Sequence, residues 1–580
     1  MILQALARYY DDLLQQGKIS APGWTKVKIS YALDIGLDGQ LKQVIPTRQD
    51  ETVGKKTVQR PQEMVLPAPI KKTSGASSNF LWENSGYLLG IKQKEEPQRS
   101  LKCFETAREL HHALLDGVDS PNAKAILRFF DSWQPEEAAQ HPMLSGELDE
   151  ITAGGNLVFR IEGTYPQEDS RIREAWDKAR NSSSKDAVKM QCLITGQEDE
   201  IVPVHPSIKG VRDAQSSGAA LVSFNAPAFC SYGHEQNYNA PVGKHAAFAY
   251  TAALNHLLSD RNSVQHIGDT TVVCWAEGAE EAYQNLAQFA LFGQEMPGLT
   301  DNDLRAALKR LANGLPCDDL GVDPKRPFYV LGLAPNAARL SVRFFLHDSF
   351  GRLMKNVNDH YDRMEIVRPS FDKQEILPLW LMLRETVNLN SRDKSPSPAM
   401  AGATVRAVFS GGPYPASLLE AVMLRIRAES SVTRGRAAII KAYYLKNPHS
   451  DCPKEVLTVS LNEASNNPAY ILGRLFSVYE AVQQSANPGI NTTIKDKYFN
   501  SAAAMPASIF PVLNNLYQKH LRKLAPGLRI SYDKQVMELK GALGENYPAR
   551  MTLAQQGAFD LGYYHQTQRR YTKKEDQNNG

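Results

Sequence analysis

The spacing of hydrophobic positions changes along this chain. In the first part, apolar and polar residues alternate in short runs such as TKVKISYALDIGLDGQLKQVIP (25–46) and NLVFRIEG (156–163), which is typical of half-buried strands. The Asp38-Gly39 pair between two such runs predicts a hairpin turn. Apolar residues three and four apart predict helices near 2–16, 101–130 and 242–258, and this pattern dominates from about Pro378 onward. We therefore predict an α+β fold: a mixed α/β N-terminal region with antiparallel strands and hairpins, followed by a mostly α-helical bundle C-terminal region.

Region boundaries follow from this change of pattern. We expect residues 1–377 to form the N-terminal α+β region, residues 378–455 a helical connecting region and residues 456–580 a C-terminal helical bundle. Pro396 and Pro398 in SRDKSPSPAMAG mark a loop near the first boundary. Within the N-terminal region, the polar and basic stretch 48–72 predicts a long surface loop.

Charge is weak overall and uneven along the chain. At roughly 100–200 residues per domain, 580 residues are enough for several compact units. The formal net charge is only +3, so overall charge does not indicate a nucleic-acid partner. Residues 491–580, however, contain 13 Lys and Arg against 7 Asp and Glu. That local excess fits nucleic acid or another acidic partner about as well as it fits an ordinary solvated surface.

Cysteine usage and motifs limit the chemistry. Six scattered cysteines without a CxxC pair predict reduced thiols and a cytoplasmic protein. The N-terminal MILQALARYYDDLLQQGK predicts a helix rather than a signal peptide, and no apolar run of about 18 residues predicts a membrane span. Cys192, His205, Cys230 and His234 lack a compact zinc-binding spacing, and neither GxxxxGK[ST] nor HExxH occurs. We therefore expect no metal and no cofactor.

One segment has an unusual composition. ALVSFNAPAFCSYGHEQNYNAPVG (220–243) combines amides, aromatic rings and turn residues, with one acidic side chain and no Lys or Arg. Amides in tight turns can hydrogen-bond to base edges in a DNA groove, and aromatic rings can stack on bases. The same residues can form a buried hydrogen-bonded network that holds loops in place. Residue types alone favour the network but leave both interpretations open.

Several long blocks carry a family resemblance. They are HPSIKGVRDAQSSGAALVSFNAPAFCSYGHEQNYNAPVGKHAAFAYTAALNHLL (205–258), GGPYPASLLEAVMLRIRAE (411–429), INTTIKDKYFNSAAAMPASIFP (490–511) and QQGAFDLGYYHQTQ (555–568). In this order they resemble the large subunit of the type I-C CRISPR surveillance complex, type I-C Cascade. The similarity spans nearly the whole chain and is weakest in the N-terminal loops 48–78.

The resemblance implies a nucleic-acid-binding subunit that is not an enzyme. Such a subunit recognises the protospacer-adjacent motif in double-stranded target DNA, promotes unwinding and R-loop formation, and stabilises the displaced strand. The implied partners are a guide RNA, the Cascade backbone and guide-processing subunits, and a helicase-nuclease that docks on the large subunit. The C-terminal bundle resembles a Cascade small subunit, which this family can also make by internal translation of the same gene.

Candidate contacts are placed on neutral loops and on basic helix ends. For the adjacent motif and its flanking phosphates we predict Gln215, Ser216, Ser217, Gly218, Asn237, Asn239, Lys244, Asn79, Asn84, Lys71 and Lys72. For the displaced strand or the heteroduplex we predict Lys495, Lys497, Lys519, Arg522 and Lys523. We expect Trp82 to belong to the core rather than to wedge between bases, and His565 and Gln566 to form a packing motif.

Two other functional classes compete with this interpretation. One is a metal-independent endoribonuclease that trims guide RNA with a histidine base such as His205 or His234. The other is a purely structural scaffold, for which the loop amides would have no effect on the choice of DNA. Cleavage of precursor RNA by the purified protein would separate the first alternative from the binding subunit.

Overall fold

The computed structural model describes residues 1–571 except 54–55, 71–75, 182–186, 261–262, 294–295, 393 and 545–546. The described chain divides into two compact units. The first comprises Met1, Leu3–His205 and Phe224–Ala252, and the second comprises Ile2, Pro206–Ser223 and the chain from Ala253 onward. The division into residues 1–377, 378–455 and 456–580 stays a prediction.

Strands and helices are mixed up to residue 349, and helices follow. The strands are β1 (Trp24–Ile29), β2 (Tyr31–Ile35), β3 (Leu41–Pro46), β4 (Arg48–Val53), β5 (Lys56–Pro67), β6 (Trp82–Glu83), β7 (Leu157–Ile161), β8 (Lys189–Gln191), β9 (Glu198–Glu200), β10 (Val264–Ile267), β11 (Thr270–Ala276), β12 (Pro327–Asn336) and β13 (Arg339–Ser349). The α-helices are α1 (Ile2–Gln15), α2 (Ser85–Leu88), α3 (Pro97–Leu115), α4 (Pro121–Ser132), α5 (Leu148–Ala153), α6 (Ser170–Asn181), α7 (Lys244–Ser259), α8 (Glu281–Phe292), α9 (Asp301–Ala312), α10 (Phe350–Met364), α11 (Leu379–Arg384), α12 (Pro398–Ser410), α13 (Ala416–Glu429), α14 (Arg434–Lys446), α15 (Pro468–Ala486), α16 (Ile494–Ala504), α17 (Pro506–Leu521), α18 (Pro526–Leu543) and α19 (Leu553–Arg569). This distribution confirms the predicted α+β class.

The first unit contains a mixed sheet in the order β3-β2-β7-β6. Strands β2 and β3 form the antiparallel hairpin predicted at Asp38-Gly39, with Tyr31 opposite Pro46. Strand β7 runs parallel to β2, with Leu33 opposite Phe159. Helices α3 and α4 contribute apolar side chains to the core beside this sheet, including Phe104 and Phe129. The alternating pattern of the sequence therefore gave the hairpin correctly, because its pairing is local.

The stretch 48–72 was wrongly predicted as a long loop. Strands β4 and β5 pair with each other, and β5 also pairs with β1 in the antiparallel order β1-β5-β4. Met64 and Leu66 of β5 pack with Val27 and Ile29 of β1 in a small buried cluster. Their alternation is the physical reason for the strand, and the polar residues on either side concealed it in the sequence.

The second unit combines an antiparallel sheet, in the order β10-β11-β12-β13, with the helices from α8 to α19. Strands β12 and β13 pair with each other on either side of the segment APNAA (334–338), with Asn336 opposite Arg339. Helices α15 and α19 pack with their backbones close together. A Cβ atom on Gly473 would collide with the carbonyl oxygen of Phe559, and one on Gly562 would collide with that of Tyr470. Only glycine permits this backbone approach.

No helix formed by the described residues is long and apolar enough to cross a membrane.

Candidate nucleic-acid interface

Residues 206–219, here called the QSSG loop, form a closed loop in the second unit. Ile208 and Ala219 exchange two backbone hydrogen bonds of 2.9 and 2.8 Å, which join the two ends of the loop. Next to this closure, the Gly218 N–H donates to the Gln215 carbonyl at 2.9 Å. Gly218 has φ +100°, and a Cβ there would lie 2.7 Å from the Ser207 Cβ. A side chain at this position would therefore strain the turn.

The QSSG loop is fastened to its own unit at three points. The Lys209 N–H donates to the Asn255 Oδ1 at 2.8 Å, and the Asn255 Nδ2 donates to the Ser207 carbonyl at 3.1 Å. Further along, the Arg212 N–H donates to the Thr271 Oγ1 on β11 at 3.1 Å. These bonds fix the backbone of the loop while leaving its side chains available.

The QSSG loop carries exposed polar side chains that are not hydrogen-bonded to the described residues. Gln215, Ser216 and Ser217 are exposed, and their side chains have no hydrogen-bond partner among the described residues. Lys209 and Arg212 are also exposed on the same loop. An open pocket of about 650 Å³ lies at the base of the loop; it is lined by Ser207, Lys209, Gly210, Ser217, Asn255, Leu258 and Ser259. Neutral donors and acceptors therefore stand beside Lys209 and Arg212 on a fixed backbone, with the Arg212 Nε 3.8 Å from the Asp213 Oδ2, which suits contact with base edges and adjacent phosphates.

The side-chain amide of Asn239 serves the fold of the first unit, and Asn237 is buried in that unit. Both Nδ2 hydrogens of Asn239 are used, on the carbonyls of His234 (3.0 Å) and Gln236 (2.9 Å), and its Oδ1 accepts from the Ser231 N–H at 2.8 Å. Asn237 is only 2% exposed, and its backbone N–H donates to the Pro203 carbonyl at 3.2 Å. The geometry favours the network interpretation for Asn239, whereas the Asn237 Oδ1 is buried without a partner among the described residues.

Two other parts of the same segment are placed differently. Tyr232 is 98% exposed with φ +54°, so its ring projects from the loop that Asn239 holds. Lys244, the first residue of α7, donates from its Nζ to the Arg180 carbonyl at 3.2 Å. Its ammonium group is thus engaged within the first unit.

Asn79 and Asn84 both bind one buried carboxylate. The Asn79 Nδ2 donates to Glu83 Oε2 at 2.9 Å, and the Asn84 Nδ2 donates to Glu83 Oε1 at 3.0 Å. The Asn84 Oδ1 also accepts from the Gly86 N–H and caps α2. Trp82 is 6% exposed and donates from its indole N–H to the Pro67 carbonyl at 2.8 Å, as expected of a core residue. Lys71 and Lys72, predicted as phosphate contacts here, lie outside the described residues.

The predicted C-terminal cations lie on two helices of the second unit. Lys495 and Lys497 are on α16, with their Nζ atoms 5.3 and 5.2 Å from the ring centres of Tyr563 and Tyr498. Lys519, Arg522 and Lys523 are exposed around the C-terminal end of α17. Cations at that end also stabilise the helix dipole, so their presence has a structural reason beside any functional one.

The histidines of the competing enzyme interpretation have different surroundings. His205 is buried, its Nδ1 lies 2.7 Å from the Tyr250 hydroxyl, and burial lowers its pKa to about 4. His234 is exposed on the loop that carries Tyr232. At the other end of the chain, His565 is buried and its Nδ1 lies 2.8 Å from the Tyr470 hydroxyl, while the Gln566 Oε1 accepts from the Arg474 Nε at 3.1 Å. His565 and Gln566 thus hold α19 against α15.

Lys209 and Arg212 were not among the predicted contacts. Both occur in IKGVRDAQSSG, directly before the predicted residues, so the signal was present in the sequence. Each could have been selected as a cation flanking a polar turn.

The comparison with known families identifies the class of protein. A family model for CRISPR-associated proteins matches residues 6–571, which is nearly the whole chain. The protein is therefore a CRISPR-associated effector subunit. The family is the one described as CRISPR-associated protein (Cas_Csd1), and this chain belongs to it. No curated protein matches the chain significantly.

Proposed function

We propose that this chain is the non-catalytic large subunit of a type I-C Cascade, and that its QSSG loop contacts the protospacer-adjacent motif in double-stranded DNA. Membership of the Cas_Csd1 family supports the first part of the proposal. In the proposed role the subunit promotes unwinding and R-loop formation beside a guide RNA. It also works with the backbone and guide-processing subunits, with a small subunit translated from the same gene, and with a helicase-nuclease docked on it. The compartment is the cytoplasm.

The state of the QSSG side chains is the observation that carries the proposal. Gln215 and Ser217 are exposed and uncommitted, whereas the amides of Asn79, Asn84 and Asn239 are occupied by neighbouring groups. An amide that is already paired within the protein must break those bonds before it can bind a base edge, whereas an exposed amide on a fixed backbone exchanges only its bonds to water. The QSSG loop is therefore the strongest candidate among the predicted loops.

The small number of charges on the QSSG loop suits a protein that binds many DNA duplexes for a short time. Lys209 and Arg212 supply two cations, enough to meet phosphates without the tight nonspecific binding of a large basic surface. The exposed cations at the C-terminal end of α17 are placed, in this proposal, along the displaced strand. Lys519 and Arg522 would contact phosphates there, and their effect would not depend on sequence.

The test is motif discrimination by the reconstituted complex. Affinity for guide-matched duplexes with a cognate or a mutated adjacent motif is measured for the wild type, for Gln215→Ala/Ser217→Ala and for the control Gln197→Ala. Gln197 is an exposed glutamine in the turn between β8 and β9 of the other unit. We expect the double variant to lose about tenfold or more of the discrimination, since a good base contact is worth about 1–3 kcal/mol. The control should keep it.

Two further readouts separate the alternatives. Guide-matched single-stranded target should bind equally well to the wild type and the double variant, because it needs no motif contact. Unchanged discrimination in the double variant would reject the QSSG loop as the reader and leave the scaffold interpretation standing. Cleavage of precursor RNA that disappears in His234→Ala would instead support the endoribonuclease.

A further inference from the structure

A small polar pocket in the second unit lies away from the QSSG loop. Its volume is about 170 Å³, and it is lined by Arg305, Glu365, Ile366, Arg368, Glu375 and Arg434. Arg305 comes from α9 and Arg434 from the first turn of α14, while Arg368 lies in the segment between α10 and α11. Three arginines distant in sequence are thus brought to one opening of the size of roughly five or six water molecules.

Arg434 is held rigidly, and part of its hydrogen-bonding capacity remains free. Its side chain is only 8% exposed, with Nη1 2.8 Å from Asp372 Oδ2 and Nη2 donating to the Glu375 carbonyl at 2.8 Å. Its Nε is buried and has no partner among the described residues. The Arg305 Nε is in the same condition. A buried N–H without an acceptor is costly, so each of these two guanidinium groups keeps a donor that the surrounding protein does not pair.

The glutamates of the pocket form only long ion pairs with Arg305 and Arg368. Arg305 Nη1 is 3.7 Å from Glu365 Oε1, and Arg368 Nη2 is 3.6 Å from Glu375 Oε1. Both distances exceed a normal hydrogen bond, and all four side chains are partly exposed. The Lys441 Nζ donates to the Glu365 carbonyl at 2.7 Å, and its charge is offset by the nearby Asp362. The pocket itself is lined by three arginines and two glutamates, and Asp372 pairs with Arg434.

From this geometry we propose that the pocket binds one phosphate group through Arg305, Arg368 and Arg434. Guanidinium groups bind tetrahedral oxyanions through paired N–H donors, and fixed guanidinium groups bind them best. The volume is below the roughly 300–1,000 Å³ typical of sites for larger organic ligands, so a nucleoside does not fit inside with the phosphate. The phosphate is either a free anion or one group of a nucleic-acid backbone. The site itself does not depend on the function proposed for the QSSG loop.

The first arm of the test uses inorganic phosphate and the full chain. Calorimetric titration compares the wild type with Arg305→Gln/Arg368→Gln, with Arg368→Lys and with the control Arg352→Gln. Arg352 is 72% exposed in an ordinary surface ion pair with Asp348. We expect the double variant to bind phosphate at least about tenfold more weakly, since each lost charge-assisted bond is worth that much. Arg368→Lys should lose part of the affinity, and the control should lose none.

The outcome that overturns the proposal is clear. Either the wild type shows no saturable binding of phosphate, or the double variant binds it as well as the wild type does. Thermal unfolding in chloride checks that the variants are folded; Arg434, which holds the surrounding segment, is left unchanged for that reason.

The second arm identifies the source of the phosphate. Binding of guide RNA is measured against salt concentration for the wild type and the double variant. A backbone phosphate in the pocket predicts a salt slope smaller by roughly 0.7 in the double variant. An unchanged slope together with lost phosphate binding assigns the site to a free phosphate anion. Because neither arm contains target DNA, failure here is distinguishable from failure of the QSSG proposal.

Discussion

His111 provides a prediction whose magnitude can be worked out. The residue is fully buried on α3, its Nδ1 lies 2.7 Å from the Ala107 carbonyl, and its Nε2 accepts from the Leu81 N–H at 3.0 Å. Both bonds are satisfied by the neutral ring with a proton on Nδ1. Protonation of Nε2 would break the second bond and leave a charge in an aromatic cluster with Phe80 and Phe130. Burial accordingly lowers the pKa of His111 to about 4.

The sign of the effect follows from this lowered pKa. An unfolded histidine, with a pKa near 6.5, takes up a proton at a higher pH than folded His111 does. The stability that His111 contributes is therefore complete above about pH 6.5 and is lost as the pH falls toward 4. At pH 5 the unfolded residue is almost fully protonated and the folded residue hardly at all, so this one group costs about 2 kcal/mol of stability relative to pH 7.5.

The variant His111→Phe isolates this contribution. Phenylalanine suits the aromatic surroundings but leaves the Leu81 N–H unpaired, so we expect a loss of about 1–3 kcal/mol at pH 7.5. Between pH 7.5 and 5, however, the variant should lose about 2 kcal/mol less stability than the wild type. His205, His360 and His565, whose pKa values burial also lowers, are present in both proteins and cancel.

Urea unfolding at the two pH values is the assay, followed by tryptophan fluorescence. Four of the six tryptophans belong to the first unit, including Trp176, which stacks on Phe80 at a centroid distance of 5.4 Å. The signal therefore reports mainly on the unit that contains His111. An equal loss of stability in the two proteins would refute the neutral, doubly bonded state of this histidine.

Three further predictions concern packing and buried polar groups. Gly473→Ala should destabilise the second unit by about 3 kcal/mol or more, because the new methyl group collides with the Phe559 carbonyl. Urea unfolding followed by circular dichroism measures the loss of stability, and a loss under about 1 kcal/mol would contradict the prediction. Both carboxylate oxygens of Asp560 are buried without a partner among the described residues, and burial raises its pKa well above the usual range, so folding loses stability as the pH rises. Asp560→Asn should then be more stabilising at pH 8 than at pH 5 in the same assay, and a pH-independent difference would disprove this. Asn239→Ala should raise proteolytic cleavage at residues 231–236, because it removes the three hydrogen bonds that hold this loop, and it should leave Gln215-dependent motif discrimination intact. Raised cleavage together with lost discrimination would instead show that the two loops are coupled.

Regular alternation of apolar residues made a local hairpin predictable, whereas polar strands and long-range pairing were missed. The hairpin at Asp38-Gly39 follows from neighbouring residues and was found. Strand β5 pairs with its neighbour β4 and with β1, more than thirty positions earlier, and was missed because β4 and the first half of β5 are mostly polar. The choice between a reader and a network is also non-local. Gln215 and Asn239 carry the same chemical group, and only the surrounding chain decides that one is free and the other fully bonded.

The phosphate pocket illustrates the same limit. In the sequence, each of Arg305, Arg368 and Arg434 lies more than sixty positions from the next, and the three do not form a motif. Folding brings them to one opening, and the burial of Arg434 leaves its Nε without a partner among the described residues. Neither the convergence nor the missing partner can be seen in a linear sequence.

The most direct test of the central claim is a cross-link from the QSSG loop to DNA. An azidophenacyl group is attached to Gln215→Cys, or to the control Gln197→Cys, in a Cys230→Ser background, since the other native cysteines are buried. The assembled complex is then irradiated with a guide-matched duplex. We predict cross-links from position 215 to bases of the adjacent motif and none from position 197. Cross-links from position 215 only to guide RNA, or to no nucleic acid, would contradict the account.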